Sequence, residues 1–531
     1  VPTVPTVTPG RPPADASHRP IRCTSRAFPV DESHGPPRAA NPLSPHPGLS
    51  IMLPNDTLRL RVDSSLNPMR MDSQAASRFT GKRVHFIGIG GSGMSGLARM
   101  LLDRGAVVSG SDPNPNTQTF ELAARGARVS RDQLGELLDR SVDLVVRTAA
   151  VPDHNAEVLA ARVLGLEVVY YAQLLGQVMA EQCGIAVAGT HGKSTTSAMV
   201  SYALLRCDAD PSFVIGATVR QLGGGSRSGA GRHFVAEACE FNRSFHNLAP
   251  RIAIITNIEE DHLDCYRDIH EIVESFQAFA RLVPADGVIV TNGIDGNVRR
   301  AIADVAAPVQ YAALQPGYDW STEVSGIENG CHTGIVRHRG AEVATLRLSI
   351  AGRHNLINAT MALAACVHAG LDPAAAAAAI GEFRGADRRM TEVGRVRGAI
   401  VVDDYGHHPT EIRATLAALR ERYQPRKLFC IFQPHQHSRT RFLLDDFSGS
   451  FANADETIVP DIYFVRDSES EKQKVNSQDL VERIVRHGGR AVHLPDFCTI
   501  ADYIRDHAGE GDLVVTMGAG NVWEIGRELC G

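Results

Sequence analysis

No window of this chain holds about 18 consecutive apolar residues, so nothing in it is expected to span a bilayer. Long basic runs are missing as well, and a net charge of −6 argues against a nucleic-acid partner. The ten cysteines form no C-x-x-C pair and are scattered singly from Cys23 to Cys530. That pattern predicts the reduced thiols of a cytoplasmic protein, not a disulfide framework or zinc site. Periodic apolar pattern is almost absent from residues 1–79, where about a dozen of the 28 prolines fall within the first 50 positions. Such a segment cannot bury enough apolar surface to offset its ordering entropy, so a disordered leader is expected there. It lacks the continuous apolar core of a secretory signal. Met69 and Met71 lie just before the folded pattern, so the leader reads either as a genuine tail or as a start placed too early.

What remains has 43% hydrophobic and 21% charged residues over a 531-residue chain, an ordinary globular composition too long for one core. From Arg83 the texture is α/β. Strands are expected at 84–87, 106–109 and 142–146, then at 185–188, 233–236, 252–256 and 287–290, followed by alanine-rich helices at 358–369 and 373–383. A third set of strands is expected at 399–402, 428–432, 457–459 and 513–516. A helix over 411–423 has Pro409 in its first turn and repeats Ile412, Leu416 and Leu419 on one face. Alternation of this kind builds parallel sheets with right-handed crossovers, here in three consecutive units.

Residues 185–196, Ile-Ala-Val-Ala-Gly-Thr-His-Gly-Lys-Ser-Thr-Thr, are the most informative stretch. An apolar strand enters a glycine turn and leaves as a helix, so Gly189, Thr190, His191, Gly192, Lys193, Ser194 and Thr195 form a triphosphate cradle. Backbone N–H groups face the phosphates, Lys193 reaches the β/γ-phosphates and the Ser194 hydroxyl can ligate Mg²⁺. The usual P-loop spacing needs glycine at 187, where Val187 stands; Gly189 replaces it in a tighter loop. The competing reading is a glycine turn that only joins strand to helix.

Gly88, Gly90 and Gly93 match G-x-G-x-x-G after a strand, with Asp112 about 20 residues on. A nicotinamide or flavin dinucleotide, another diphosphate-bearing ligand and a bare structural turn all meet this pattern, the second being favoured. Glu237 and His262 both follow strands and should emerge beside the cradle, where they could hold Mg²⁺ or serve as surface acid and bonded histidine. Asn355 and Asn358 share a helix face and could read a purine edge, although helix capping is the simpler reading. The loops Asp403-Asp404-Tyr405-Gly406-His407-His408-Pro409-Thr410-Glu411 and Gln433-Pro434-His435-Gln436-His437-Ser438-Arg439-Thr440-Arg441 follow successive strands. Two polar, histidine-rich loops at the ends of one sheet point to a site.

Taken in order, Gly-Ile-Gly-Gly-Ser-Gly-Met-Ser-Gly-Leu-Ala, Gly-Thr-His-Gly-Lys-Ser-Thr-Thr, Asn-Ile-Glu-Glu-Asp-His-Leu-Asp, Gly-Arg-His-Asn-x-x-Asn and the two histidine loops closely resemble the Mur ligases. Within that family the match favours the members that join L-alanine to UDP-N-acetylmuramate, over residues 82–525. The resemblance implies a Rossmann-like UDP-sugar domain at 80–180, a P-loop ATPase-like domain at 181–387 and a Rossmann-like amino-acid domain at 388–531. It places Gly88, Gly90, Gly91, Ser92, Gly93 and Asp112 on the UDP-sugar. ATP falls to the cradle residues, with Asn355 and Asn358 at adenine and Asp404 near the ribose. Ser194 and Glu237 would hold one Mg²⁺ and His262 a second, while Tyr405, His435 and Arg439 lie near the amino acid. Lys193, His262, His407, His435 and Arg439 form the implied catalytic set, with His407, His408 or His435 taking the amine's proton. Hinges are expected at 177–184 and 384–390.

This chain departs from many relatives in Gln436, where arginine is usual, and in Cys239, where an aspartate is usual. No lysine occurs between Asp261 and Pro284, so no carbamylated lysine is assigned. Amide formation needs an activated carboxyl, so ATP would first make an acyl phosphate that the amine then attacks. A ligase adding a whole peptide to the same sugar nucleotide is the near alternative. A nicotinamide oxidoreductase leaves the P-loop unexplained, and a nucleotide-gated binding module leaves the Tyr405 and His435 loops unexplained.

Overall fold

The computed structural model describes residues 77–465 and 467–531. The expected leader lies outside them except for its last three positions, and those belong to the folded part. Ser77 Oγ donates to Glu181 Oε2 at 2.9 Å, and Phe79 is buried in the core. The leader boundary at 79 is therefore too late; Ser-Arg-Phe is too short to carry a period.

The first sheet comprises β1 Arg83–Ile87, β2 Val107–Ser111, β3 Arg128–Ser130, β4 Leu144–Arg147 and β5 Val168–Tyr170 in the order β3-β2-β1-β4-β5, all parallel. Helices α1 Ser92–Asp103, α2 Thr117–Ala124 and α3 Ala156–Val163 follow β1, β2 and β4. Strand β3 has three residues, too few for a sequence period to show. Chain order reverses between β1 and β4, which opens a crevice above their carboxyl ends.

Helix α4 Tyr171–Met179 leads into the middle unit. A β-carbon on Gly176 would stand 1.7 Å from the Asn247 carbonyl, so α4 lies backbone against backbone on residues 241–247. Leu97, Val178, Phe245, Phe276 and Phe279 belong to one apolar cluster spanning both units. The rings of Phe245 and Phe279 stack there at 4.9 Å.

The middle sheet runs β15-β14-β13-β12-β11-β10-β6-β9-β7-β8. Its strands are β6 Cys183–Ala188, β7 Ser212–Val214, β8 Ser226–Arg227, β9 His233–Glu237, β10 Pro250–Ile255, β11 Val288–Asn292, β12 Val309–Ala313, β13 Trp320–Glu328, β14 Cys331–His338 and β15 Ala341–Ala351. Strand β6 pairs in parallel with β10 and β9, so the loops after all three open side by side. Helices α5 Lys193–Arg206 and Arg353–His368 share the core on one face, their alanines allowing close approach. The antiparallel addition β13–β15 was not among the expected strands. Its hairpins turn on Asn329-Gly330 (φ 50° and 69°) and Arg339-Gly340 (φ 49° and 86°), left-handed pairs that suit a two-residue connection.

The third sheet is β16-β17-β21-β18-β19-β20, formed by β16 Thr391–Val396, β17 Ala399–Asp404, β18 Leu428–Phe432, β19 Glu456–Val459, β20 Ala491–His493 and β21 Leu513–Met517. Only β16 is antiparallel. Its two apolar faces form separate clusters of their own. The segment entering it carries Arg388 at φ 60° and Met390 at φ 48°, two non-glycine residues in left-handed conformation at the expected hinge. Among the described residues no helix is long and apolar enough to cross a membrane.

Candidate active site where three strand ends meet

The cradle forms because β6 ends in Gly189 (φ 136°) and Gly192 (φ 81°). A β-carbon at Gly189 would fall 1.9 Å from Thr256 Oγ1, so glycine alone fits this close approach. The loop is braced from the side by Asn257, whose carbonyl and Oδ1 accept from Thr190 N (2.9 Å) and His191 N (2.8 Å). Helix α5 then begins at Lys193, leaving the first-turn N–H groups of Lys193, Ser194 and Thr195 without intrahelical partners. These amides, with the positive end of the helix, suit a phosphate chain.

Lys193 Nζ donates to Gly189 O (2.6 Å), Thr190 O (3.0 Å) and Glu240 Oε1 (2.9 Å). Burial works against its charge, yet Glu240 raises its pKa above the ordinary value. Ser194 Oγ donates to Glu237 Oε1 at 3.0 Å, and the other Glu237 oxygen accepts Gly216 N at 2.7 Å. Serine hydroxyl and fixed carboxylate make a hard-oxygen pair that fits Mg²⁺. His262, at φ 54°, brings Nε2 within 3.8 Å of Glu240 Oε1 and so stands beside the same ammonium. Asn355 and Asn358 are buried behind the loop. Asn355 Nδ2 donates to Ala351 O at 2.7 Å instead of capping its helix, and the Asn358 side chain abuts Gly192.

The glycine turn of the first sheet is self-bonded. Gly88 N and Ile89 N donate to Ser111 O at 2.8 and 3.0 Å, and Gly91 N donates to Gly88 O at 3.2 Å. Asp112 Oδ2 accepts Gly90 N at 2.9 Å, so the carboxylate expected on the ligand closes the loop, and the Gly90 amide is engaged. The donors left for an anion are the first-turn amides of α1, at Ser92, Gly93 and Met94. Gly93 faces Tyr171, whose hydroxyl would lie 2.8 Å from a β-carbon there. Burial, reinforced by the nearby Glu237 carboxylate, pushes the Tyr171 phenol up. Tyr171 thus packs on the α1 end of the first glycine turn and feels the charge of Glu237, and nothing in the sequence marked it.

The third unit presents its loops to the same place. Arg439 Nε and NH2 donate to Asp261 Oδ1 at 3.1 and 2.9 Å, and Arg439 NH1 lies 3.2 Å from His435 Nδ1. Burial alone would raise Asp261, but Arg439 and then His262 hold it well below the carboxylate range. Burial depresses His407 to about 4 against the pull of Glu411, so its ring is neutral at pH 7. Its Nδ1 is 3.2 Å from Tyr405 O, and its Nε2 faces Asp261. The Tyr405 ring sits under the guanidinium groups of Arg388 and Arg389, 5.0 and 5.2 Å away. Asp404, expected at the ribose, is turned inward: it accepts Gly406 N at 2.7 Å and Met390 N at 2.8 Å, and burial raises its pKa. It anchors the hinge.

Glu411 joins the units. It lies 3.3 Å from His191 Nδ1 and 3.6 Å from Arg389, and it accepts His407 N at 2.9 Å. Burial would pull His191 down, but Glu259 and Glu411 raise it to about 9. Glu411, Glu259 and Asp261 all stood inside motifs visible in the sequence, without any sign of their partners. Gln436 adopts φ 67° and its buried Nε2 has no hydrogen-bond partner.

Residues 83–182 match the description "Mur ligase family, catalytic domain", 187–366 "Mur ligase middle domain" and 388–520 "Mur ligase, glutamate ligase domain". The chain is 41% identical over 450 residues to the UDP-N-acetylmuramate–L-alanine ligase of Caldanaerobacter subterraneus subsp. tengcongensis, covering 84% of this chain and 97% of the relative. Among solved structures it is similar to the UDP-N-acetylmuramate–alanine ligase of Thermotoga maritima, with 26% identity, a TM-score of 0.68 and coverage of 84% of this chain and 98% of that one. A murein peptide ligase from Psychrobacter arcticus follows with 27% identity, a TM-score of 0.62 and coverage of 85% and 98%. With its three units matched in order and a relative 41% identical over 450 residues, the chain belongs to the Mur ligase family.

Proposed function

We propose that this chain joins L-alanine to the lactyl carboxylate of UDP-N-acetylmuramate, driven by ATP, in building the peptidoglycan precursor. The observation that carries this reading is the convergence of a triphosphate cradle and a hard-oxygen pair at Lys193 with the third unit's Arg439, which reaches them through Asp261, His262 and Glu240. The relatives' names give the substrates.

The α5 amides and Lys193 grip the triphosphate, with Asn355 and Asn358 toward adenine, while the α1 amides grip the UDP diphosphate. Ser194 and Glu237 would hold one Mg²⁺ and His262 a second; bound there, the ions offset charge on the transferring phosphoryl group. A lactyl carboxylate oxygen takes the γ-phosphoryl group of ATP, the bond to the β-phosphate breaks and ADP leaves, giving an acyl phosphate. The L-alanine amine, oriented by Arg439 and Tyr405, attacks the acyl carbon and gives a proton to His407 or His435. The carbon–oxygen bond to phosphate then breaks, leaving amide and inorganic phosphate. The third unit excludes water from the acyl phosphate by closing on Asp261 and His191. We assign the units to 80–180, 181–387 and 388–531, and the protein to the cytoplasm, in line with the scattered single cysteines of its sequence.

The test is phosphate release from ATP, Mg²⁺, UDP-N-acetylmuramate and single amino acids. Release that requires both the sugar nucleotide and L-alanine is expected. Release with a wall peptide but not L-alanine would favour the peptide-adding reading, and NADH oxidation without phosphate would end both.

A further inference from the structure

A second set of donors lies between the middle and third units, outside the Mg²⁺ residues. His191 of the cradle, Glu259 beyond β10 and His408 of the third unit converge on one carboxylate oxygen. His191 Nε2 and His408 Nδ1 lie 3.6 and 3.8 Å from Glu259 Oε2, and the three donor atoms all fall within 4.8 Å of one another. The far ring nitrogens already have partners. His191 Nδ1 is 3.3 Å from Glu411 Oε1, and His408 Nε2 is 3.0 Å from the Glu260 carbonyl. Each imidazole therefore has an acceptor for its far-side N–H, so an ion bound at the inner nitrogens would displace the inner proton of His191 and keep the far one. Thr410 Oγ1 supports the carboxylate by donating to Glu259 Oε2 at 2.5 Å. His191 Nε2 is buried there with no hydrogen-bond partner. The inward nitrogen of His408 has only a long 3.3 Å contact from Thr410 N. Metal-bound imidazoles have this arrangement, the distal N–H fixed by a carboxylate or carbonyl and the proximal nitrogen on the ion.

From this geometry we infer that His191, Glu259 and His408 bind one Zn²⁺, or a similar borderline transition-metal ion, which staples the third unit to the phosphate loop. Two imidazoles and one carboxylate suit Zn²⁺, whereas Mg²⁺ favours oxygen alone. Tetrahedral bonds of about 2.0–2.2 Å set donors about 3.4 Å apart, so the carboxylate–imidazole pairs need to draw in by only a few tenths of an ångström. The Glu259 side chain is 36% exposed, which gives the ion a way in and leaves a fourth position for water. The single cysteines exclude a thiolate zinc site, and this one uses none. Because His191 and Glu259 come from one unit and His408 from the other, the ion would hold the cleft shut.

The test uses the metal-free full chain in excess Mg²⁺, without substrates. Zn²⁺ is titrated against a chromogenic chelator and Co²⁺ is followed by its visible absorption. We expect one ion per chain, the intense Co²⁺ bands of four-coordination, and a loss of about tenfold or more in Zn²⁺ affinity in Glu259→Gln and in His408→Asn. His262→Asn, which removes a group on the other set, should leave that affinity within about twofold. Far-UV circular dichroism checks each variant; should His408→Asn unfold, the near-isosteric Glu259→Gln carries the result. Absence of stoichiometric binding, binding unchanged in Glu259→Gln, or binding lost in His262→Asn instead would overturn the assignment.

Discussion

Where the first unit meets the middle one, Leu97, Val178, Phe245 and Phe279 run into a single apolar core, and α4 presses its Gly176 backbone on Asn247. Where the middle unit meets the third, the contacts include Arg439–Asp261, Glu411–His191, Thr410–Glu259 and His332–Glu421. No apolar cluster among the described residues spans that second junction. Each large side chain in the first junction is worth about 1.5–3 kcal/mol when kept from water, so pulling those units apart costs heavily. Ion pairs regain water on separation, so the second junction can open at modest cost. The first two units form a fixed platform that carries both glycine turns. The third is a cover that can open, hinged where Asp404 holds Met390.

The largest effect that would sharpen this contrast lies at the cradle. Lys193→Ala should lower turnover by about 10³-fold, while calorimetry finds UDP-sugar binding nearly intact. Loss of both would mean that the platform does not divide the substrates. Next, Phe279→Ala should cost about 3–5 kcal/mol in urea unfolding, with the first and middle units still melting in one transition. Separate transitions in the native protein would break the comparison. Arg439→Ala strands the buried Asp261 carboxylate and should lower kcat/KM about 10²-fold, with the closed population falling in small-angle scattering. The unfolding of the platform should stay nearly unchanged. The smallest effect concerns pH. A protonated His191, raised to about 9 from 6.5, stabilises closure fully below pH 6.5, and that contribution fades as pH rises through 9. In the presence of chelator, the radius of gyration should therefore grow between pH 6.5 and 9; contraction over that range would contradict the sign.

The cradle, Glu237 and His262 were legible in the sequence because their requirements are local: a strand end, a glycine turn, a helix start. Parallel pairing of β6 with β9 and β10 then brought them together. Asp112 and Asp404 each do something in the structure that the sequence did not display. A carboxylate beside free backbone amides satisfies them first, and both close their own loops. Asp261 and Glu411 were visible but without assignment, since their partners Arg439 and His191 lie far away along the chain. The β14–β15 extension escaped the parallel-sheet pattern, although Asn329-Gly330 between alternating runs carries its first hairpin.

The central claim is that the two glycine turns share one cleft in which a carboxyl group is phosphorylated before an amine captures it. Labelling the lactyl carboxylate of UDP-N-acetylmuramate with ¹⁸O and analysing the released phosphate by mass spectrometry tests it directly. The account requires one ¹⁸O atom in each phosphate formed with L-alanine. Phosphate carrying no label, alongside labelled amide product, would contradict it.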